Sequence, residues 1–336
     1  MKRASMNLGY SSGFDMQDRK INVARLSVLS NTALVAMKIA VGLSIGAVSI
    51  ISEAIHSGVD LMASLIATFS VSRSSMPADI RHPFGHGKVE NISGTIEAIL
   101  IFLAALWIIF EAVKKLMNPE PIEYLSWGVA VMFVSAIVNL IVSNMLFKIA
   151  KETDSIALEA DGWHLRTDVY TSAGVMASLA LIWSGGLISP STSLSWLDPA
   201  AAIAVAILII LAAYRLTMQS AQDLMDVKLP ADEETWIREL ITIHRPVIHG
   251  FHRLRTRKAG NFRFVDFHIK VDPSMSVEDS HLITDDLSRS IEKQFPNTSV
   301  TVHIEPCDGR CNGNCLPGCL LPEDEQKEMM QRRGRA

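Results

Sequence analysis

Only four cysteines and four tyrosines occur in 336 residues, aromatic residues make up 7%, and the formal net charge is −4. No basic stripe accompanies that small charge, so no nucleic-acid partner is expected. The chain has no Gly-rich phosphate loop, no dinucleotide fingerprint and no His-Glu-x-x-His pair, and these absences argue against an enzyme. No cysteine precedes Cys307, so disulfides cannot frame the first 306 residues. Residues 1–20 carry Asp15, Asp18, Arg19 and Lys20 and have no apolar run before a small-residue cleavage site. They do not read as a cleavable signal peptide.

Apolar residues are what the chain has in abundance. They account for 49% of it, and its mean hydropathy is +0.25, high for a soluble domain. A membrane helix needs about 20 mostly apolar residues. Six stretches qualify, near 24–45, 48–72, 91–113, 125–147, 162–186 and 197–214, and the fourth holds no charge from Leu125 to Phe147. Asp198-Pro199 supplies a cap and a first-position proline for the sixth. Arg73, Arg81 and Lys88 lie between spans two and three, and Lys148 and Lys151 between four and five. Positive loops stay inside, which predicts an integral protein of the cell (inner) membrane with both termini cytoplasmic. Lys114 and Lys115 fall on the other side and are expected to snorkel.

Beyond about residue 216 charge rises and the apolar runs stop. Residues 231–244 and 276–295 read as helices, and His249–Arg257, Phe262–Val271 and Thr298–Glu305 as strands. Val265, Phe267, Ile269 and Val271 share one face of the second strand; Asp266, His268 and Lys270 share the other. The predicted fold class is an α-helical membrane protein of six transmembrane helices plus a C-terminal cytoplasmic α+β domain, ferredoxin-like with the order αββαβ. The predicted division is an N-terminal segment 1–20, a membrane domain 21–217, a cytoplasmic domain 218–307 and a flexible Cys-rich tail 308–336.

Two spans carry the same polar pair. Span two has His56 and Asp60, and span five has His164 and Asp168. A spacing of four puts each pair on one helix face, roughly 5–6 Å apart at Cβ. Two such faces brought together offer two imidazoles and two carboxylates, a tetrahedral N₂O₂ set suited to Zn²⁺. Lys38, Glu53, Glu97 and Arg166 are further polar residues in the spans, for which pairing or snorkelling is expected.

Four segments carry a resemblance to the cation diffusion facilitator family: Ser-Glu-Ala-Ile-His-Ser-Gly-Val-Asp-Leu (52–61), His-Pro-Phe-Gly-His-Gly-Lys-Val-Glu (82–90), Asp-Gly-Trp-His-Leu-Arg-Thr-Asp (161–168) and the α+β domain. It covers about residues 20–307. The resemblance implies a homodimer in the lipid bilayer that exports a divalent metal ion in exchange for protons, with His56, Asp60, His164 and Asp168 as the transport site. Histidine on both helices suggests Zn²⁺, with Cd²⁺ or Co²⁺ as look-alikes; Fe²⁺ or Mn²⁺ carriers tend to replace one or both histidines. The resemblance also implies a loop site at Asp79, His82 and His86, and regulatory Zn²⁺ in the cytoplasmic domain at His252, His268, His281, His303 and Glu305. Cys307, Cys311, Cys315 and Cys319 depart from the family pattern. Their spacing of four matches no common zinc or iron–sulfur motif, yet four thiolates could wrap one soft cation. A membrane-bound metal sensor and a metalloenzyme are the rival readings.

Overall fold

The computed structural model describes residues 7–45, 48–117, 126–188, 196–309 and 315–334. It divides into two compact units, Met1–Leu224 and Met225–Ala336.

The first unit is a bundle of six long helices: α1 (Asn7–Ile45), α2 (Val48–Ser74), α3 (Lys88–Met117), α4 (Ser126–Thr153), α5 (Ile156–Ile188) and α6 (Leu197–Leu224). Each helix outruns its apolar stretch, because hydropathy marks only the part in lipid, whereas backbone hydrogen bonding continues until something stops it. For α6 the stop is Asp226, two residues past the helix, with φ of 57°. Among the described residues α1, α3, α4 and α6 are long and apolar enough to cross a bilayer. The other two, α2 and α5, carry the His-x-x-x-Asp pairs.

Small residues let α3 and α6 approach closely: Ala98 and Ala105 meet Ala206 and Ala213, with Ile101 and Ile209 filling the gaps. A second cluster joins Val23 and Ala24 of α1, Val71 of α2, Val142 and Leu146 of α4, and Leu158 and Leu165 of α5. Trp107, Phe110, Phe133, Ile141, Leu208 and Tyr214 stay exposed on the unit's surface, as lipid-facing side chains do.

At one end of the bundle a buried acid ties four segments. Glu90 of α3 accepts from Lys20 Nζ of α1 at 2.6 Å, from Ser74 Oγ of α2 at 2.6 Å, and from Ser155 Oγ just before α5. Lys20 is 1% exposed and Glu90 0%, so each charge is neutralised by the other, with the hydroxyls satisfying the remaining lone pairs.

The second unit contains α7 (Ala231–Ile243), β1 (Gly250–Ala259), β2 (Phe262–Val271), α8 (Val277–Gln294) and β3 (Thr298–Pro306). The αββαβ order matches the expectation. The sheet runs β1-β2-β3, with β1 antiparallel and β3 parallel to β2. A parallel neighbour needs a crossover, and α8 supplies it. Val265, Phe267, Ile269 and Val271 are all buried, against Ile237 and Ile241 of α7 and Leu287 and Ile291 of α8.

The segment beyond residue 308, expected to be a flexible tail, is described in part. Its described part forms a 3-10 turn, Leu316–Gly318, and a helix α9, Glu323–Gly334. Cys319 bridges Gly250 at the free edge of β1, and Leu320 N donates to the His249 carbonyl at 2.8 Å. Leu320, 8% exposed, joins the core. One apolar anchor and one edge strand in need of a partner suffice to dock the segment.

This docking generates a prediction. A Cβ at Gly318 would overlap the Phe251 carbonyl oxygen. Gly318→Ala should detach the tail, seen as at least tenfold faster tryptic cleavage at Arg332 and Arg333; an unchanged cleavage rate would refute the docked tail.

Candidate metal sites

A buried imidazole–carboxylate pair forms where α2 and α5 meet. Asp60 and His164 are 104 residues apart in sequence, yet His164 Nε2 lies 3.0 Å from Asp60 Oδ1. Both are buried, at 4% and 6% exposed. Holding a carboxylate there costs a few kcal/mol in the membrane, so its partner is needed. Asp168 lies one turn beyond His164 on the same face of α5, within electrostatic range of the imidazole. Asn139 of α4 donates to Asp168 Oδ2 at 3.2 Å. On α2, His56 lies one turn before Asp60, and its side chain lies outside the described residues, as does that of Glu53. Three of the four expected ligands are thus gathered from α2 and α5.

Asn139 escaped the sequence reading. Its signal was an amide, one of two with Asn144, in a largely apolar, uncharged span. Lys38 of α1 hydrogen-bonds Ser57 of α2 at 2.7 Å, between His56 and Asp60 in sequence. Arg166 is held by Asn144 at 2.6 Å and stacks over Phe147. Glu97 accepts from Ser93 at 3.1 Å.

The loop between α2 and α3 brings Asp79, His82 and His86 together, with one ligand atom from each within 4.8 Å of the others. Backbone amides of Arg81 and His82 donate to Asp79 Oδ1 at 2.8 and 2.6 Å, closing a turn that aims the carboxylate at the rings. The His82 amide holds the Asp79 carboxyl below its ordinary pKa. His82 Nδ1 lies 3.1 Å and His86 Nε2 3.5 Å from that carboxylate, and the two rings are 4.4 Å apart. Gly85, at φ of 82°, reverses the chain between them.

In the second unit register does the gathering. His252 pairs with His268 across β1 and β2, and His268 pairs with His303 across β2 and β3. One histidine from each strand therefore stands in a single row, with ring centroids 5.1 and 4.6 Å apart. Glu305, two residues beyond His303 on the same face of β3, reaches back. Its carboxylate lies 2.8 Å from His268 Nδ1, 3.5 Å from His252 Nε2 and 3.2 Å from Lys270 Nζ. Burial alone would raise the Glu305 carboxyl, but hydrogen bonds from His268 and Lys270 outweigh it and hold it at about 2. Burial lowers His252 and so favours its neutral form, the form that binds metal. His252, His268 and Glu305 each offer a ligand atom within 4.8 Å of the others. His303 Nε2 stands 3.9 Å from Glu305. His281 is not gathered with them: it is exposed on α8, 3.7 Å from Asp285.

The thiols are not brought together either. The Cys307 amide donates to Val271 O, which places that residue at the β3 end of the row, whereas Cys319 sits beyond β1. Three strand spacings separate them, roughly 14 Å at about 4.8 Å each. Cys315 lies beside Cys319, and Cys311 is outside the described residues. One ion wrapped by all four thiolates does not fit this arrangement, because the sheet stands between the first and the last.

The family model described as the cation efflux transmembrane domain matches residues 24–225, and the one described as the cation efflux protein cytoplasmic domain matches residues 229–307. An uncharacterized transporter of Synechocystis sp. is 33% identical over 285 residues, which is 85% of this chain and 90% of that protein. The cation-efflux pump FieF of Pectobacterium atrosepticum is 30% identical over 295 residues, 87% of this chain and 95% of the pump. Among solved structures, the metal-bound C-terminal domain of the CzcD transporter from Thermotoga maritima aligns at 30% identity over 23% of this chain and 94% of that one, with a TM-score of 0.21. Two family models cover most of the sequence, and the chain belongs to the cation diffusion facilitator family of cation efflux transporters.

Proposed function

We propose that the chain exports a divalent transition metal, Zn²⁺ foremost, from the cytoplasm across the cell membrane in exchange for protons, working as a homodimer with both termini cytoplasmic. The observation that carries this reading is the buried contact of 3.0 Å between Asp60 and His164, which joins two helices around imidazole and carboxylate ligands. His56, Asp60, His164 and Asp168 make a mixed N₂O₂ set, which suits Zn²⁺ and admits Cd²⁺ or Co²⁺.

Exchange follows from the ligands' own chemistry. A metal-binding imidazole must be neutral and a carboxylate ionised, so metal and protons compete for the same atoms. An imidazole whose ordinary pKa is about 6.5 changes state across physiological pH. Facing the cytoplasm the quartet takes metal; facing outward it accepts protons and lets the metal go. Asn139 positions Asp168 through the amide contact to Oδ2. On this reading Asp79, His82 and His86 hold a second ion in the loop. The His252–His268–Glu305 group binds regulatory Zn²⁺, joined by His303 on the same face of the sheet, and His281 reaches an ion only if the second subunit brings one near.

His164→Ala or Asp168→Ala should abolish Zn²⁺ flux into proteoliposomes, by at least a hundredfold, with the melting temperature nearly unchanged. Parent-like flux from either would remove the quartet as the transport site. His56→Asp should retain flux and widen it toward Mn²⁺ or Fe²⁺, because oxygen ligands suit harder ions; an unchanged metal profile would place selectivity elsewhere.

The cytoplasmic group makes a separate prediction. The Glu305 carboxyl sits at about 2 and stays ionised through the whole working range, so loss of metal on acidification should follow the imidazoles. Zn²⁺ affinity measured by calorimetry should fall steeply from pH 7 to pH 5.5. Glu305→Gln should weaken it at least tenfold at pH 7, and equal affinity in the variant would remove Glu305 from the ligand set.

A further inference from the structure

One turn before His164, α5 carries Asp161. The positions 161, 164 and 168 follow i, i+3, i+7 and share one helix face. Asp161 is 0% exposed, and neither of its carboxylate oxygens has a hydrogen-bond partner among the described residues. Glu97 of α3 is also 0% exposed and lies within electrostatic range of both Asp161 and His164. Its Oε1 accepts from Ser93, while its Oε2 has no partner. Ser27 of α1, 0% exposed, lies close enough to Asp161 to act on its carboxyl, and its hydroxyl has no other partner among the described residues.

α1, α3 and α5 thus each bring a buried oxygen-bearing side chain to the neighbourhood of Asp161. No basic side chain among the described residues pairs with either acid; Lys20 is engaged by Glu90, and Arg166 by Asn144. Two buried carboxylates without a counter-charge are costly, and such groups inside a membrane mark an ion path. The Glu90 knot shows what a purely structural buried acid in this bundle looks like: a lysine and two hydroxyls engage both of its oxygens. Glu97 lies seven residues further along the same face of α3 and has only Ser93. What completes the pair is a small mobile cation. A set made only of oxygens binds a divalent metal more weakly than a mixed nitrogen and oxygen set, as a transit position requires.

The placement is consistent with transit. Asp161 lies between the start of α5, where Ser155 meets the Glu90 knot, and His164. The loop carrying Asp79, His82 and His86 joins α2 to α3 at the Glu90 end of the bundle. We propose that Glu97, Asp161 and Ser27 form a second, all-oxygen divalent-cation position, one helical turn from His164, through which the exported metal passes on its way to the quartet. This rests on the quartet being the transport site.

The test uses the full-length protein in lipid nanodiscs with Co²⁺ as the probe, since tetrahedral Co²⁺ absorbs visibly. In Glu97→Gln and Asp161→Asn the final absorption should match the parent, while its rate of appearance on rapid mixing falls at least tenfold. Asp161→Glu, which keeps the carboxylate, should recover most of that rate. A parent-like rate in both amide variants would overturn the proposal. So would a parent-like rate accompanied by about one fewer proton released per Co²⁺ bound, which would make the pair a proton store. The His164→Ala control separates the two readings: if it binds Co²⁺ and transports as the parent does, the quartet fails, whatever the acid pair does.

Discussion

The membrane unit is arranged around a buried carboxylate. Asp60 is tolerable inside the bundle because the His164 imidazole, delivered by another helix, stands 3.0 Å away. That contact fixes how α2 and α5 cross and brings Asp168 into range. It also creates a place where a dication is welcome and a neutral guest is not. α2 and α5 carry this pair, and both pack against neighbouring helices of the bundle, α2 on α1 and α3, α5 on α3, α4 and α6.

Buried polarity in the bundle falls into two classes, and the contrast is informative. Around Glu90 both carboxylate oxygens are engaged, and the acid ties α1, α2, α3 and the start of α5 at one end. Around Asp161 and Glu97 three of the four carboxylate oxygens have no hydrogen-bond partner among the described residues. A satisfied network rigidifies; an unsatisfied one stores a demand for positive charge. Placing the satisfied network at the end of the bundle and the open one beside His164 gives a scaffold that holds still where helices must stay joined and attracts cations where they must pass.

The cytoplasmic unit gathers its ligands by different means. No helix spacing brings His252, His268 and His303 together; strand register does, placing one from each strand in a single row. Parallel pairing of β2 with β3 then puts Glu305 beside Lys270, one pair beyond the His268–His303 pair on the same face, close enough to bond two of the strands' polar groups at once. The apolar alternation on the opposite face of β2 locks this register, since a slip of one residue would turn Phe267 and Ile269 outward.

By itself the sequence determined the local, periodic facts. Apolar runs near bilayer thickness fixed six helices, alternation fixed the strands, and a spacing of four fixed which polar residues share a helix face. These are legible because helix and strand periods are properties of the backbone alone. Tertiary structure decided the rest. That Asp60 meets His164, that Asn139 holds Asp168, and that Glu97 faces Asp161 depend on how helices pack, over separations no local pattern encodes. The cysteines show the limit most clearly. Even spacing suggested one cluster, but the sheet separates Cys307 from Cys319, and Leu320 and Gly318 spend the tail's chain length on docking along β1. Which residues lie near in sequence is fixed by the chain; which lie near in space is fixed by where apolar surface must be buried.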